Sequence, residues 1–129
     1  MKKEKLTSKW STKKPLYLKT TDKRYKKYNK QLKKYGFCDS ETWNLDAVIA
    51  EFILPRLKRF REVTNGYSKD FSNYDEWYEV LDKMIFSFEW ILTYAYSVGD
   101  LSNEEYKNSL KKYDEGMKLF AKYFRNLWC

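Results

Sequence analysis

The chain has 129 residues, with 26 Lys and Arg against 18 Asp and Glu for a formal charge of +8, and no histidine. That length fits one domain able to bury roughly two thirds of its unfolded surface, and the missing imidazole removes the commonest general base, triad partner and zinc ligand. Four Gly, two Pro and a rich set of rings (five Trp, twelve Tyr, eight Phe) argue for long packed helices rather than a loop-rich sheet protein.

Residues 1–20 lack periodicity and read as an irregular basic arm, with Trp10, Leu16, Tyr17 and Leu18 as anchors, ahead of a single helical domain over 21–129. Residues 1–36 hold 14 Lys and Arg against Glu4 and Asp22, a net +12, whereas the remainder sums to −4. A basic segment of this kind is drawn to phosphate polymers or to an acidic surface, its own body included. A short basic helix is predicted over about 21–35. Thr21 or Asp22 caps it, Tyr25, Tyr28, Leu32 and Tyr35 recur at steps of three and four, and Gly36 ends it. Its other faces carry Lys23, Arg24, Lys26, Lys27, Lys30, Lys33 and Lys34. The tyrosine stripe reads first as core and second as a base-stacking platform.

A long helix follows over about 41–64. Asp39, Ser40 or Thr42 can cap its start, Glu41 suits the dipole, and Asn65-Gly66 stops it after Val63. Leu45, Ile49, Ile53, Leu57 and Phe60 fall within roughly 60° of one line and should face the core. Asp46 and Arg56 project to the same side and need partners, because an unpaired buried charge costs several kcal/mol. Pro55 lacks the amide donor for Glu51 and predicts a kink, which would turn Arg56 into a groove. Otherwise Arg56 pairs with Asp46 or Asp82.

Ser72 or Asn73 with Asp75 or Glu76 forms a capping box for a helix over about 73–98. Trp77, Leu81, Met84, Phe88, Ile91 and Ala95 make its main stripe, while Tyr78, Phe86, Trp90 and Tyr96 occupy other faces. A helix apolar nearly all round is central or shared, and here a homo-oligomer interface through 73–98 is expected. Ser102 and Glu105 repeat the box before a last helix over about 102–128, with Tyr106, Leu110, Tyr113, Met117, Phe120, Phe124 and Leu127 at steps of four and three. Gly116 beside that stripe predicts the close approach of another helix, and the last turn is expected to dock. These two helices should form an antiparallel hairpin against the kinked one, giving an all-α, compact bundle of three long helices plus the short basic one.

Cys38 and Cys129 are too few and too distant for a disulfide framework or metal cluster and read as reduced thiols. There is no Gly-rich phosphate loop, CxxC pair or acidic metal loop, so no cofactor and no metal are expected. Carboxylate-only catalysis would need Asp46, Glu51, Asp82 and Glu89 to converge on Mg²⁺, and a non-enzyme is the preferred reading. The absence of a long apolar run and of a signal region predicts no membrane contact and a cytoplasmic location. Arg56, Lys58, Arg59 and Arg61 follow the proline, where an Arg fork can grip phosphate and nearby aromatic rings can stack on a base. The candidate ligand-binding residues are Arg56, Arg59, Lys58, Trp43, Asp46, Tyr28 and Arg24.

Three segments, GFCDSETWNLDAVIAEFILPRLKRFRE (Gly36 to Glu62), DEWYEVLDKMIFSFEW (Asp75 to Trp90) and EGMKLFAKYFRNLW (Glu115 to Trp128), together resemble a group of small uncharacterised bacteriophage-encoded proteins. The TWNLD and PRLKRF pieces carry the likeness, which leaves the basic arm outside. It implies a viral protein of the host bacterial cytoplasm, of a kind that often counters antiviral defence, in some cases as an oligomeric sponge for a nucleotide messenger. Three readings follow. The chain sequesters an anionic nucleotide-type immune signal in a basic and aromatic pocket, binds DNA or RNA through its Lys-rich arm, or inhibits a host defence protein directly. The first is preferred, because the likeness covers the body and not the arm.

Overall fold

The computed structural model describes residues 20–93 and 102–128. Every regular element among them is helical: α1 (Tyr25–Tyr35), α2 (Leu45–Val63), α3 (Tyr74–Thr93) and α4 (Asn103–Lys122), with 3-10 turns at Asp39–Thr42 and Phe124–Asn126. The expected arm over 1–20 (Thr20 apart), its four anchors, Ala95, Tyr96, the end of the third helix and Cys129 lie outside the described residues. No helix of the described residues is long and apolar enough to cross a membrane. The chain divides into two compact units, Met1–Val48 and Ile49–Cys129.

In the first unit, α1 begins at Tyr25 rather than near residue 21 because Asp22 spends its groups on a turn. Its Oδ1 accepts the Arg24 amide at 2.8 Å and its carbonyl accepts the Tyr25 amide at 3.1 Å. Gly36 ends the helix as expected, at φ 82° with its amide on the Leu32 carbonyl. The next helix does not begin at 41. Glu41 Oε2 instead accepts the Cys38 amide at 2.9 Å and the Thr42 hydroxyl donates to the Asp39 carbonyl at 2.7 Å. Short polar side chains that bind nearby backbone favour a tight turn over a helix interior, so α2 starts only at Leu45. Gln31 and Asp39 tie this turn to α1 through two reciprocal hydrogen bonds of 2.9 Å.

The second unit is organised on α3. Asn73 Oδ1 accepts the Glu76 amide at 3.0 Å, and Glu76 reaches back to the Ser72 amide at 2.8 Å. At α4, Ser102 and Glu105 form the full reciprocal box. Contacts between α3 and α4 run in opposite order along the two helices, from Trp77 with Tyr123 through Lys83 with Glu115 to Trp90 with Tyr106, so the pair is antiparallel. At the crossing Gly116 is buried, and a Cβ there would run into Ser87 Oγ and the Lys83 carbonyl. The helices approach closely at this glycine, as the sequence predicted.

The core of this unit gathers Trp77, Leu81, Met84, Phe88, Trp90 and Ile91 of α3, Ala50 and Leu57 of α2, and Tyr123. Two expectations change. On α2 the buried positions are Ala50 and Leu57, with Ile53, Leu54 and Phe60 packed partly against them, whereas Leu45 and Ile49 are 51% and 50% exposed. The inward line of α2 passes through Ala50 and Leu57, and Ala50 is too small to weigh in a hydrophobic pattern. At the far end, α4 stops at Lys122 and tightens into the 3-10 turn instead of running to 128. Tyr123, outside the predicted stripe, is the buried anchor there; it rings Phe71 and Trp77 and donates to Asp70 at 3.2 Å. Leu127 packs on the core, but Trp128 is exposed.

The rings that pointed to a subunit interface on α3 have cover within the same unit. Trp90 lies under Tyr113 and Tyr106, Tyr78 meets Tyr74 and the Arg61 guanidinium, and Lys112 sits over Phe86. Tyr96, the fourth of those rings, lies outside the described residues.

Candidate functional site

α2 runs through Pro55 as one helix and carries the basic run that follows it. Arg56 does not point into the core. It is exposed, its Nη1 donates to the Phe52 carbonyl at 2.7 Å, and its guanidinium lies 3.9 Å from the Phe52 ring centre. Arg56 has moved off the inward side because the buried line of α2 passes through Ala50 and Leu57. Asp82, its proposed partner, is held by Arg61 instead, with Arg61 Nε 2.7 Å from Oδ1. Lys58 pairs with Glu89 at 2.9 Å and Arg59 with Glu62 at 2.9 Å. The basic run is thus an exposed face, and three of its four cations are matched by carboxylates.

The four other candidates belong to the first unit. Tyr28 is buried and meets Trp43 edge to face at 6.3 Å, while Trp43 itself is 64% exposed. Asp46 is exposed in the first turn of α2. Arg24 donates through Nε and Nη2 to the two oxygens of Asp22, at 3.1 and 3.0 Å. These hydrogen bonds draw the Asp22 carboxyl down to about 2 and push the Arg24 guanidinium up. The structure brings Tyr28 and Trp43 together, and each candidate cation makes its own local contact.

The lysines of α1 are arranged otherwise. At about 100° per residue, Lys26, Lys27, Lys30, Lys33 and Lys34 fall within an arc of about 120°, and Lys23 continues that arc just before the helix. All six are exposed, whereas Tyr28 is buried and Tyr25, Leu32 and Tyr35 are half-buried on the other side. Among the described residues none of these lysines pairs with a carboxylate; Lys34 alone has an aromatic contact, 5.2 Å from the Tyr35 ring. Like charges one turn apart cost a helix a few tenths of a kcal/mol per pair. Lys26 with Lys30 and Lys30 with Lys34 carry that cost with no compensating anion in the described residues.

A groove of about 370 Å³ between α3 and α4, lined by Glu79, Asp82, Lys83, Phe86, Lys112 and Glu115, was not foreseen from the sequence. Two of its charges answer one another, Lys83 bridging to Glu115 at 2.8 Å, while Lys112 covers Phe86. Nothing in the spacing of one helix could have signalled it, because it needs both. Among the described residues no cluster of acidic groups is placed to hold a metal ion. No family model matches the sequence, and no curated protein or solved structure is similar to it.

Proposed function

We propose that this chain is a non-enzymatic nucleic-acid-binding protein whose contact face is the lysine side of α1. One observation carries the reading: five exposed lysines on one side of a short helix, with Lys23 just before it, have no carboxylate partner among the described residues, whereas the cations after Pro55 are mostly matched. Such a face neutralises phosphates and releases their counterions, which gives affinity without sequence preference. The body, read as a compact bundle of three long helices, then serves as a scaffold and the basic helix as its working surface. The resemblance to bacteriophage proteins supports a role against host defence, which masking or occupying nucleic acid would serve. The test is binding of a labelled DNA fragment across a salt series. A steep linear fall of log affinity with log salt, flattened by Lys30→Glu with Lys33→Glu, is the expected result. Salt-independent binding, or none, would remove the reading.

Sequestration of an anionic nucleotide signal is the second reading, and Arg56 favours it. Its guanidinium is exposed and oriented by both the ring and the carbonyl of Phe52, so little ordering is left for a phosphate to impose. A thermal shift with a cyclic dinucleotide that disappears in Arg56→Ala would move the assignment there.

A further inference from the structure

Within the first unit one more feature lacks an internal explanation. Trp43 and Leu45 follow the Asp39–Thr42 turn and are 64% and 51% exposed, although both side chains would gain by burial. Trp43 is not loose: Tyr28, itself buried in the tyrosine side of α1, meets it at 6.3 Å with the ring planes at 75°. Among the described residues the indole is held by one edge-to-face contact, with most of its surface left to solvent.

We infer that Trp43 is a base-stacking platform and that the nucleic acid recognised by α1 is single-stranded. This rests on the reading of α1 as a phosphate-binding face and adds which form of nucleic acid it takes. Duplex offers phosphates but keeps its bases stacked inside, so an exposed indole gains nothing from it. A single strand presents both phosphates and open base faces, and proteins that bind it combine a basic track with aromatic rings. Both parts are in this unit. Lys26 to Lys34 span about 12 Å of helix axis, enough for a few phosphates of an extended strand. Tyr28 holds the ring against the side of α1 opposite the lysines, so a strand that engages both parts passes round the helix, which a flexible single strand can do and a stiff duplex cannot. Leu45 adds an apolar surface against which a second base can lie.

The experiment compares a fluorescein-labelled oligothymidylate with a duplex of the same length, at low salt, against the full chain and its variants. The native chain should prefer the single strand. Trp43→Ala should weaken single-strand binding roughly five- to a hundredfold, the range for losing one stacked base, and leave duplex binding unchanged. Trp43→Phe should restore much of the loss, and Lys30→Glu with Lys33→Glu should weaken both forms together. Equal affinity of the native chain for the two forms, or a Trp43→Ala variant that keeps its single-strand affinity, would overturn the inference while leaving α1 a phosphate-binding face. Failure to bind either form would overturn both.

Discussion

The Ser87 hydroxyl donates to the carbonyl oxygen of Tyr113 at 2.8 Å, across the line where α3 and α4 touch. The two backbones can come that close because Gly116, three residues on, has no side chain. Gly116→Ala should therefore destabilise the protein by roughly 1–3 kcal/mol or more through overpacking, despite a gain of about 1 kcal/mol in helix propensity. Thermal or denaturant unfolding will measure it, and a neutral or stabilising result would contradict the close crossing. Ser87→Ala keeps the space and loses one hydrogen bond, so it should cost only about 1 kcal/mol.

Apolar packing, not ion pairing, holds α2 to α3. Leu57 is buried in the shared core, whereas Arg61 and Asp82 are both more than a third exposed. Leu57→Ala should cost roughly 2–5 kcal/mol and Asp82→Asn less than about 1 kcal/mol. Urea midpoints of the two variants should differ in that order, and the reverse order would mean that the charge pair dominates.

The lysine face predicts opposite effects on stability and binding. Lys30 has like-charged neighbours one turn away on each side, so Lys30→Glu should raise the helicity of α1 by a few tenths of a kcal/mol. The same change should lower DNA affinity and reduce the salt slope by about one contact. Amide exchange across 25–35 and a binding titration read the two effects separately.

Asp22 is drawn down to about 2 from an ordinary 3.8 by its hydrogen bonds from Arg24. A carboxyl lowered in the fold contributes stability above its unfolded value and loses it as pH falls through the folded one. The turn before α1 should thus hold above pH 4 and loosen between about pH 4 and 2, as the unfolded chain takes up the proton first. Chemical shifts of Arg24 and Tyr25 in the native chain should titrate with a midpoint near pH 2, at the folded value of Asp22. In Asp22→Asn that titration should be absent.

Signals confined to a few neighbouring residues were legible in the sequence. Gly36, Asn73 with Glu76, and Ser102 with Glu105 act where their spacing put them, because capping is settled within one turn. Trp77, Leu81, Met84, Phe88 and Ile91 are buried as the α3 stripe predicted, since large rings and aliphatics dominate its phase. On α2 the decisive residue was Ala50, fully buried yet too small to weigh in a hydrophobic pattern, so Leu45, Ile49 and Arg56 were assigned the wrong side. Tyr123 was missed for a related reason: it leaves the four-three rhythm where the helix tightens. The matching of Lys58 by Glu89 and of Arg61 by Asp82 depends on which helices meet, and no spacing within one helix contains it, whereas Arg59 and Glu62 stand three residues apart on α2.

The four described tryptophans divide sharply by surroundings. Trp77 and Trp90 are enclosed among other side chains, with indole nitrogens that find no acceptor among the described residues, whereas Trp43 and Trp128 face water. Emission from the enclosed pair should lie to the blue and resist acrylamide, and emission from the open pair should lie to the red and be quenched readily. Red-edge excitation would then follow events near residues 43 and 128, and Trp128→Phe would leave Trp43 as the open reporter among the described residues, while the blue component registers the integrity of the α3 core.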